Sequence, residues 1–336
     1  MLEPDISAAA DSEPSPDTAP ARRRVNANLL PAAVVLACAI LLIGATKALN
    51  PGSSLVQQFS AVLVTSIFLV VASFGQGLAI LLGGIDLSIG VVIGLSAMMI
   101  SVLTNGQNGA LIWAVPATLA TCLGIGLVNG IGIAVANVPP FIMTLASSIT
   151  FFGAGLGFTA GLAQEPVAPA LQALMSGRWL GVPLPVWLIL GFVIVATVLQ
   201  NGTTEGRKLY AIGSSPGAAR VLGLPIGGLT ILAYGISGLC AGLSGLLLAG
   251  YSSAATLDMG NPLLLPTIAA VVIGGARVTG GRGIYLGTFA GALFLSALET
   301  VITVLSLSQG LRDIIEGAII VFALVLQSER WSGTGS

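Results

Sequence analysis

The sequence predicts an all-α integral membrane protein, a polytopic bundle of about ten transmembrane helices. Three observations predict it. Of 336 residues, 55% are apolar and only 7% charged, against about 25% charged in an ordinary soluble domain; this chain cannot cover itself with a polar surface. Apolar runs near the roughly 20-residue spanning length recur along the chain. The 45 glycines fall repeatedly in small-xxx-small pairs, which let helices pack closely in lipid.

The runs place helices near 29–49, 55–74, 85–104, 110–136, 139–161, 185–200, 226–250, 262–276, 284–306 and 311–328. The weakest is 262–276, a short core containing Pro266, so the count lies between eight and ten. Residues 1–28 read as a disordered cytoplasmic tail: Glu3, Asp5, Asp11, Glu13 and Asp17 alternate with prolines before Arg22-Arg23-Arg24. The run from Leu29 to Leu49 is long enough to span and reads as a retained helix, not a cleaved signal. Alternation from an inside N-terminus puts Arg22, Arg23, Arg24, Arg207, Lys208, Arg220, Arg277, Arg282 and Arg330 inside, and Lys47, Arg178 and Arg312 outside. That bias obeys the positive-inside rule with both termini cytoplasmic, residues 329–336 forming a second short tail. The pairs Gly126/Gly130, Gly153/Gly157, Gly238/Gly242, Gly283/Gly287 and Gly287/Gly291 predict tightly crossed helices.

Several chemistries are excluded. The chain has no histidine, which removes His-based triads and most zinc sites. Cys38, Cys122 and Cys240 lie in separate apolar runs without metal or redox spacing. No G-x-x-x-x-G-K-[ST] occurs, so the chain has no P-loop of its own. No metal, cofactor, nucleic acid or catalytic residue is expected.

Two stretches stand out. The first is Gly83-Gly84-Ile85-Asp86-Leu87-Ser88-Ile89-Gly90, where Asp86 is the one acid between residues 20 and 160. A carboxylate at membrane depth costs roughly 2.5–3.5 kcal/mol on insertion scales. Two roles remain open: Asp86 caps a helix starting at Leu87, with Ser88 assisting, or it shapes the inner end of a translocation route. The topology puts it at the cytoplasmic end of an outward-going span. Gln76, Asn129, Asn137 and Glu299 are the other polar side chains within or at the ends of spans; Gln76, Asn129 and Glu299 are candidates for the route, with Glu299 mid-span and turned inward. The second stretch is the cytoplasmic loop 201–225. Ser215 before Pro216 reads as an N-cap and first helical residue, Ala218, Ala219, Val221 and Leu222 continue the turn, and Gly223 ends it. A short helix outside the membrane suits either a groove on a partner protein or the membrane surface. A faint repeat adds to this: Gly83-Gly84 precedes Gly90 by the spacing at which Gly280-Gly281 precedes Gly287.

These residues resemble the permease subunit of bacterial ABC importers of the ribose/xylose/arabinose/galactose type. Three motifs carry the likeness: Gly83 to Gly90 matches G-G-I-D-L-S-x-G; Tyr210 to Leu224 is similar to that group's cytoplasmic loop; and Ile268 to Gly283, with Gly274, Gly275, Gly280, Gly281 and Gly283, resembles its third signature. The departures are Ser215 where the group often has Asn, and Leu264 and Pro266 where it often has an acidic and a polar residue. The resemblance implies a multi-pass permease domain over 29–328 in a bacterial inner membrane, which is not itself an ATPase. It implies a second permease copy or close relative, two ATP-binding subunits or one fused tandem ATPase, and a soluble sugar-binding protein delivering a monosaccharide. Ser215, Pro216, Ala218, Ala219, Arg220, Leu222 and Gly223 are then the ATPase-coupling helix, and Gly83, Gly84, Asp86, Ser88 and Gly90 an inner-gate break. A related permease for branched-chain amino acids, or a stand-alone secondary transporter, is the alternative.

Overall fold

A computed structural model describes residues 21–49, 52, 54–159, 165–308 and, between 310 and 321, all but 313, 316 and 320. Helices dominate: α1 (Ala21–Leu49), α2 (Leu55–Leu81), α3 (Ile89–Thr104), α4 (Leu111–Ala134), α5 (Pro140–Phe158), α6 (Pro169–Ser176), α7 (Leu184–Thr197), α8 (Thr204–Ser214), α9 (Pro216–Val221), α10 (Ile226–Ser252), α11 (Leu264–Ile273) and α12 (Tyr285–Val304). A π-helical turn, Val198–Gly202, prolongs α7, and a 3-10 segment, Leu257–Leu263, leads into α11. The described residues between 310 and 321 are helical. Residues 1–20 of the predicted tail 1–28, all of the predicted tail 329–336 and the end of the expected span 311–328 lie outside the described residues.

Six helical segments among the described residues are long and apolar enough to cross a membrane: Leu55–Leu81, Asn108–Ala134, Pro140–Phe158, Leu184–Gly202, Ile226–Ser252 and Tyr285–Val304. Three shorter apolar stretches accompany them: Pro31–Lys47, Ile89–Thr104 and Leu257–Ile273. The chain is a multi-pass membrane protein. The expected count of about ten is therefore finer than helix length supports, and the differences have local causes. α1 starts at Ala21, within the stretch expected as tail, since Ala and Arg are strong helix formers and continue the turn beyond the apolar run. Pro262 lies within the 3-10 segment before α11, where proline removes a backbone donor and limits a regular α-helix.

The 27-residue α10 is the central element and packs on α4, α2, α3 and α6, while α12 packs on α1, α2 and α11. Small residues permit these approaches. A methyl group added at Gly126 of α4 would lie 2.2 Å from the Tyr234 carbonyl oxygen, and one at Gly238 of α10 would lie 2.2 Å from that of Cys122. Of the predicted small-xxx-small pairs, Gly126/Gly130 and Gly238/Gly242 serve this contact, whereas Gly153 and Gly157 have nothing within 4 Å. Hydroxyl groups tie the same helices: Ser244 donates to the Phe68 carbonyl at 2.9 Å, Ser96 to that of Gly242 at 2.7 Å, and Tyr285 to that of Val70 at 2.9 Å. Phe74, Phe192 and Tyr285 meet edge to face, joining α2, α7 and α12.

Two sides of the bundle differ in character. One carries α8, α9 and the 274–284 loop, with Arg207, Lys208, Arg220, Arg277 and Arg282; it is called the basic side below. The opposite side carries two short antiparallel pairings, Glu165–Pro166 with Ala254–Ala255 and Arg178–Trp179 with Val182–Pro183, and the Trp179–Trp187 ring contact.

Candidate functional site

The loop 82–88 does not simply end a span; it turns back into the bundle. Gly75 lies against Ser237, and Phe68 accepts from Ser244, so α2 and α10 run antiparallel. Leu81, the end of α2, comes back toward the basic side, but Asp86, five residues on, reaches Ser237. Ser237 is eleven residues into α10, roughly 16 Å from its start at 1.5 Å per residue. Asp86 therefore sits deeper than the end of a span. This also explains why α3 has only 16 residues: it starts part-way through the bundle.

Asp86 is 1% exposed. Its Oδ1 accepts from the Ser88 amide at 2.9 Å and the Ser88 hydroxyl at 2.5 Å, and its Oδ2 accepts from Ser237 Oγ at 2.7 Å. Asn129 of α4 donates to Ser88 Oγ at 3.0 Å. From α5, Thr144 accepts from the Leu87 amide at 3.1 Å and Ser148 donates to the Leu87 carbonyl at 2.9 Å. The helix begins at Ile89, and Ser88 at its cap makes no side-chain capping bond. Asp86 thus holds a turn just before the helix and bridges that turn to α10, a role between the two left open by its sequence. Close by, the Tyr234 hydroxyl would lie 2.4 Å from a methyl group on Gly84, so a larger residue there must displace the Tyr234 side chain. Gln76 of α2, adjoining Gly75, is fully buried, and neither of its amide atoms has a partner among the described residues; the Asn129 oxygen and Tyr234 hydroxyl are in the same condition. These groups make the layer beside the Asp86 turn polar. Asn137, by contrast, is exposed just beyond α4 and donates to the Val135 carbonyl at 3.4 Å.

The second feature is a junction of three segments on the basic side. The amide of Gly281 donates to the Leu81 carbonyl at 2.9 Å. An added methyl at Gly213 of α8 would lie 1.9 Å from that carbonyl oxygen and 2.5 Å from the Gly281 nitrogen; one at Gly280 would lie 2.9 Å from the Gly83 nitrogen. The three signatures therefore meet backbone to backbone. Gly83, Gly280 and Gly281 also have φ of 81°, 92° and 73°, a region in which side chains are strained. Side chains reinforce the contact. Tyr210 donates to the Gly283 carbonyl at 2.5 Å, and Gln200 donates to the Tyr210 oxygen at 2.9 Å. Burial pushes the Tyr210 phenol up to about 12, against the smaller opposing effect of Gln200. In the third signature Gly274 instead packs against Gly287, which joins α11 to α12, while Gly275 is exposed beside Pro31. On α3, Gly90 faces the 3-10 segment at Gly260 and Asn261.

The predicted surface helix is α9. Ser215 caps it, accepting from the Ala218 amide at 3.2 Å, and Pro216 is its first residue. Ala219 is buried at 2% exposed, and so faces the bundle, while Ser215, Pro216, Ala218, Arg220 and Gly223 are exposed. Val221 and Leu222 are 90% and 74% exposed. Leu222 was among the sequence candidates; Val221 is the more exposed apolar residue. Sequence reasoning also missed Tyr210, Gln200, Gly213 and Ser237. Tyr210 and Gly213 lie at the front of the second motif, and their place there was the available signal; Ser237 and Gln200 had none, being brought in by long-range packing.

The buried polar turn is thus joined, through a backbone junction, to the segment that carries the exposed helix α9. A family model described as branched-chain amino acid transport system / permease component matches residues 58–324. The chain belongs to this permease family. Relatives of the permease include the ribose import permease protein RbsC of Escherichia coli (strain K12), 31% identical over 299 residues, 87% of this chain and 92% of the relative. The ribose import permease protein RbsC of Bacillus subtilis (strain 168) is 33% identical over 270 residues, 77% of this chain and 80% of the relative. The autoinducer 2 import system permease protein LsrC of Enterobacter sp. (strain 638) is 31% identical over 291 residues, 85% of this chain and 83% of the relative. As a permease it is a transport component, not an enzyme.

Proposed function

We propose that the chain is the membrane-spanning subunit of an ATP-driven importer for a monosaccharide or a closely sugar-like solute. The observation that carries this reading is the junction of Leu81, Gly213 and Gly281, taken with the ribose import relatives. An ATPase can shift a permease only through contacts that differ between its states. Displacing α8 would press on the 82–88 and 274–284 loops with no flexible side chain between them to absorb the motion, and the 82–88 turn holds Asp86 inside the bundle. On this reading α9 docks on the ATPase through Val221, Leu222 and Arg220, and the Asp86–Ser88–Ser237 turn, with Gly83, Gly84 and Gly90 around it, is the inner gate. Gln76 and Asn129 supply polar groups to the route once that gate opens.

The assembly that follows contains two permease copies, or this chain with a close relative, two ATP-binding subunits or one fused tandem ATPase, and a soluble binding protein on the opposite side. The basic side is cytoplasmic, as its arginines support, both tails 1–28 and 329–336 are cytoplasmic, and the membrane is the bacterial inner membrane. The chain carries no cofactor; ATP is bound by the partner. An amino-acid permease of the same family is the competing reading, and the ribose and autoinducer-2 relatives weigh against it. The test is hydrolysis and uptake in proteoliposomes. The expected result is no ATP hydrolysis by the chain alone and ATP-dependent monosaccharide uptake once ATPase and binding protein are added. Hydrolysis by the purified chain, or uptake of leucine in place of any sugar, refutes it.

A further inference from the structure

A cavity of about 770 Å³ lies toward the opposite side of the bundle, between α2, α10, α11 and α12, with Arg312 at its edge. That volume falls within the roughly 300–1,000 Å³ of small-molecule sites. The geometry points to this cavity as a binding site for an uncharged polyol of monosaccharide size, a site within one permease chain and separate from the Asp86 turn. The inference rests on the importer reading above and names where its solute is held.

The lining decides the ligand class. Glu299 is exposed into the cavity from α12, and its carboxyl group offers acceptor lone pairs in either protonation state. Thr65 already donates to the Ala61 and Val62 carbonyls at 3.2 and 3.1 Å, and Thr300 to that of Ser296 at 2.8 Å. With their protons used on their own helices, these hydroxyls offer the cavity lone pairs alone. Thr303 is in the same condition, donating to the Glu299 carbonyl at 2.8 Å. Four acceptors therefore converge from two helices, and the ligand that satisfies them is one rich in hydroxyl donors. Arg312, within electrostatic reach of Glu299, is the cationic side chain of the lining. Phe68 and Tyr251, whose rings meet at 5.4 Å, give an aromatic wall suited to the C–H face of a sugar ring. A zwitterionic amino acid could engage Glu299 and Arg312, but its N–H donors all sit on one nitrogen, whereas a sugar spreads hydroxyl donors around its ring to meet acceptors on two helices.

The cavity is tested by cysteine protection in the assembled importer. Thr300→Cys and Thr65→Cys are made singly in a Cys38→Ala background and labelled from the binding-protein side with a membrane-impermeant methanethiosulfonate, with Gly109→Cys as an outlying control. D-ribose, D-xylose, D-glucose, D-galactose and L-leucine are added separately, and uptake of each is measured in parallel. The expected result is that the sugar the importer transports slows labelling at Thr300→Cys and Thr65→Cys at least fivefold and leaves Gly109→Cys unchanged. Protection by leucine and by no sugar overturns the polyol assignment. Unprotected labelling at both cavity positions, with sugar uptake intact, overturns the site and leaves the importer reading standing. ATP-dependent uptake of none of these sugars, nor of a pentitol or autoinducer-2 tried in the same assay, removes the importer reading and this site with it.

Discussion

Replacing Gly213 by alanine is the sharpest probe of the junction. The new methyl carbon would lie 1.9 Å from the Leu81 carbonyl oxygen and 2.5 Å from the Gly281 nitrogen. A carbon–oxygen contact needs about 3.3 Å, so α8 must retreat from the end of α2 by roughly 1.4 Å. The atoms in the way are backbone, so no side chain can rotate aside. Overpacking of this kind costs about 1–3 kcal/mol, and the same retreat strains the 2.9 Å Gly281–Leu81 hydrogen bond, worth about 1 kcal/mol. The expected destabilisation is about 2–4 kcal/mol, read as a lowered melting temperature of the detergent-solubilised chain. Uptake by the assembled importer should fall at least tenfold at equal membrane abundance. Gly217→Ala in α9 is the control: nothing lies within 4 Å of its added methyl, and alanine is a better helix former by about 0.5–1 kcal/mol, so stability should hold or rise. Equal melting and uptake for Gly213→Ala and the parent, or equal losses in both variants, would refute the junction as the link between α8 and the inner loops.

Other outcomes follow from the same geometry. Ser237→Ala removes a donor from the buried Asp86 carboxyl and should lower stability by about 1–3 kcal/mol, more than Ser244→Ala, whose hydroxyl serves a neutral carbonyl; denaturant titration of the two ranks them. The pair Val221→Asp with Leu222→Asp changes surface residues and should leave melting within about 0.5 kcal/mol while abolishing solute-stimulated ATP hydrolysis; retained stimulation excludes α9 as the docking helix. The Tyr210 phenol, raised from its unfolded value near 10 to about 12, stays a neutral donor to Gly283 below pH 10. Its share of stability should therefore be constant to about pH 10 and lost between 10 and 12, and a melting series comparing the parent with Tyr210→Phe reads that loss as a difference confined to the alkaline end.

By itself the sequence determined the class of this protein and marked the three segments that the fold brings into contact. The charge-poor, glycine-rich composition requires burial in lipid, because too few polar groups exist to cover the surface. The three motifs are local strings, so they are visible without any knowledge of packing. The α9 cap was legible for the same reason: Ser215 and Pro216 act on residues within one turn. Only the tertiary structure decided how these segments relate. Asp86 was placed at the end of a span because alternation of the apolar runs leaves it beside an inside connection; the fold turns that loop back to Ser237, 151 residues away, and no local pattern encodes such a contact. Ala219 and Leu222 look alike in a string of small and apolar residues, yet the bundle buries one and exposes the other. Glu299 reads from sequence as a lone acid inside a span; packing of four helices is what opens a cavity in front of it. The sequence specifies which groups are costly to bury, and the fold alone determines where their partners stand.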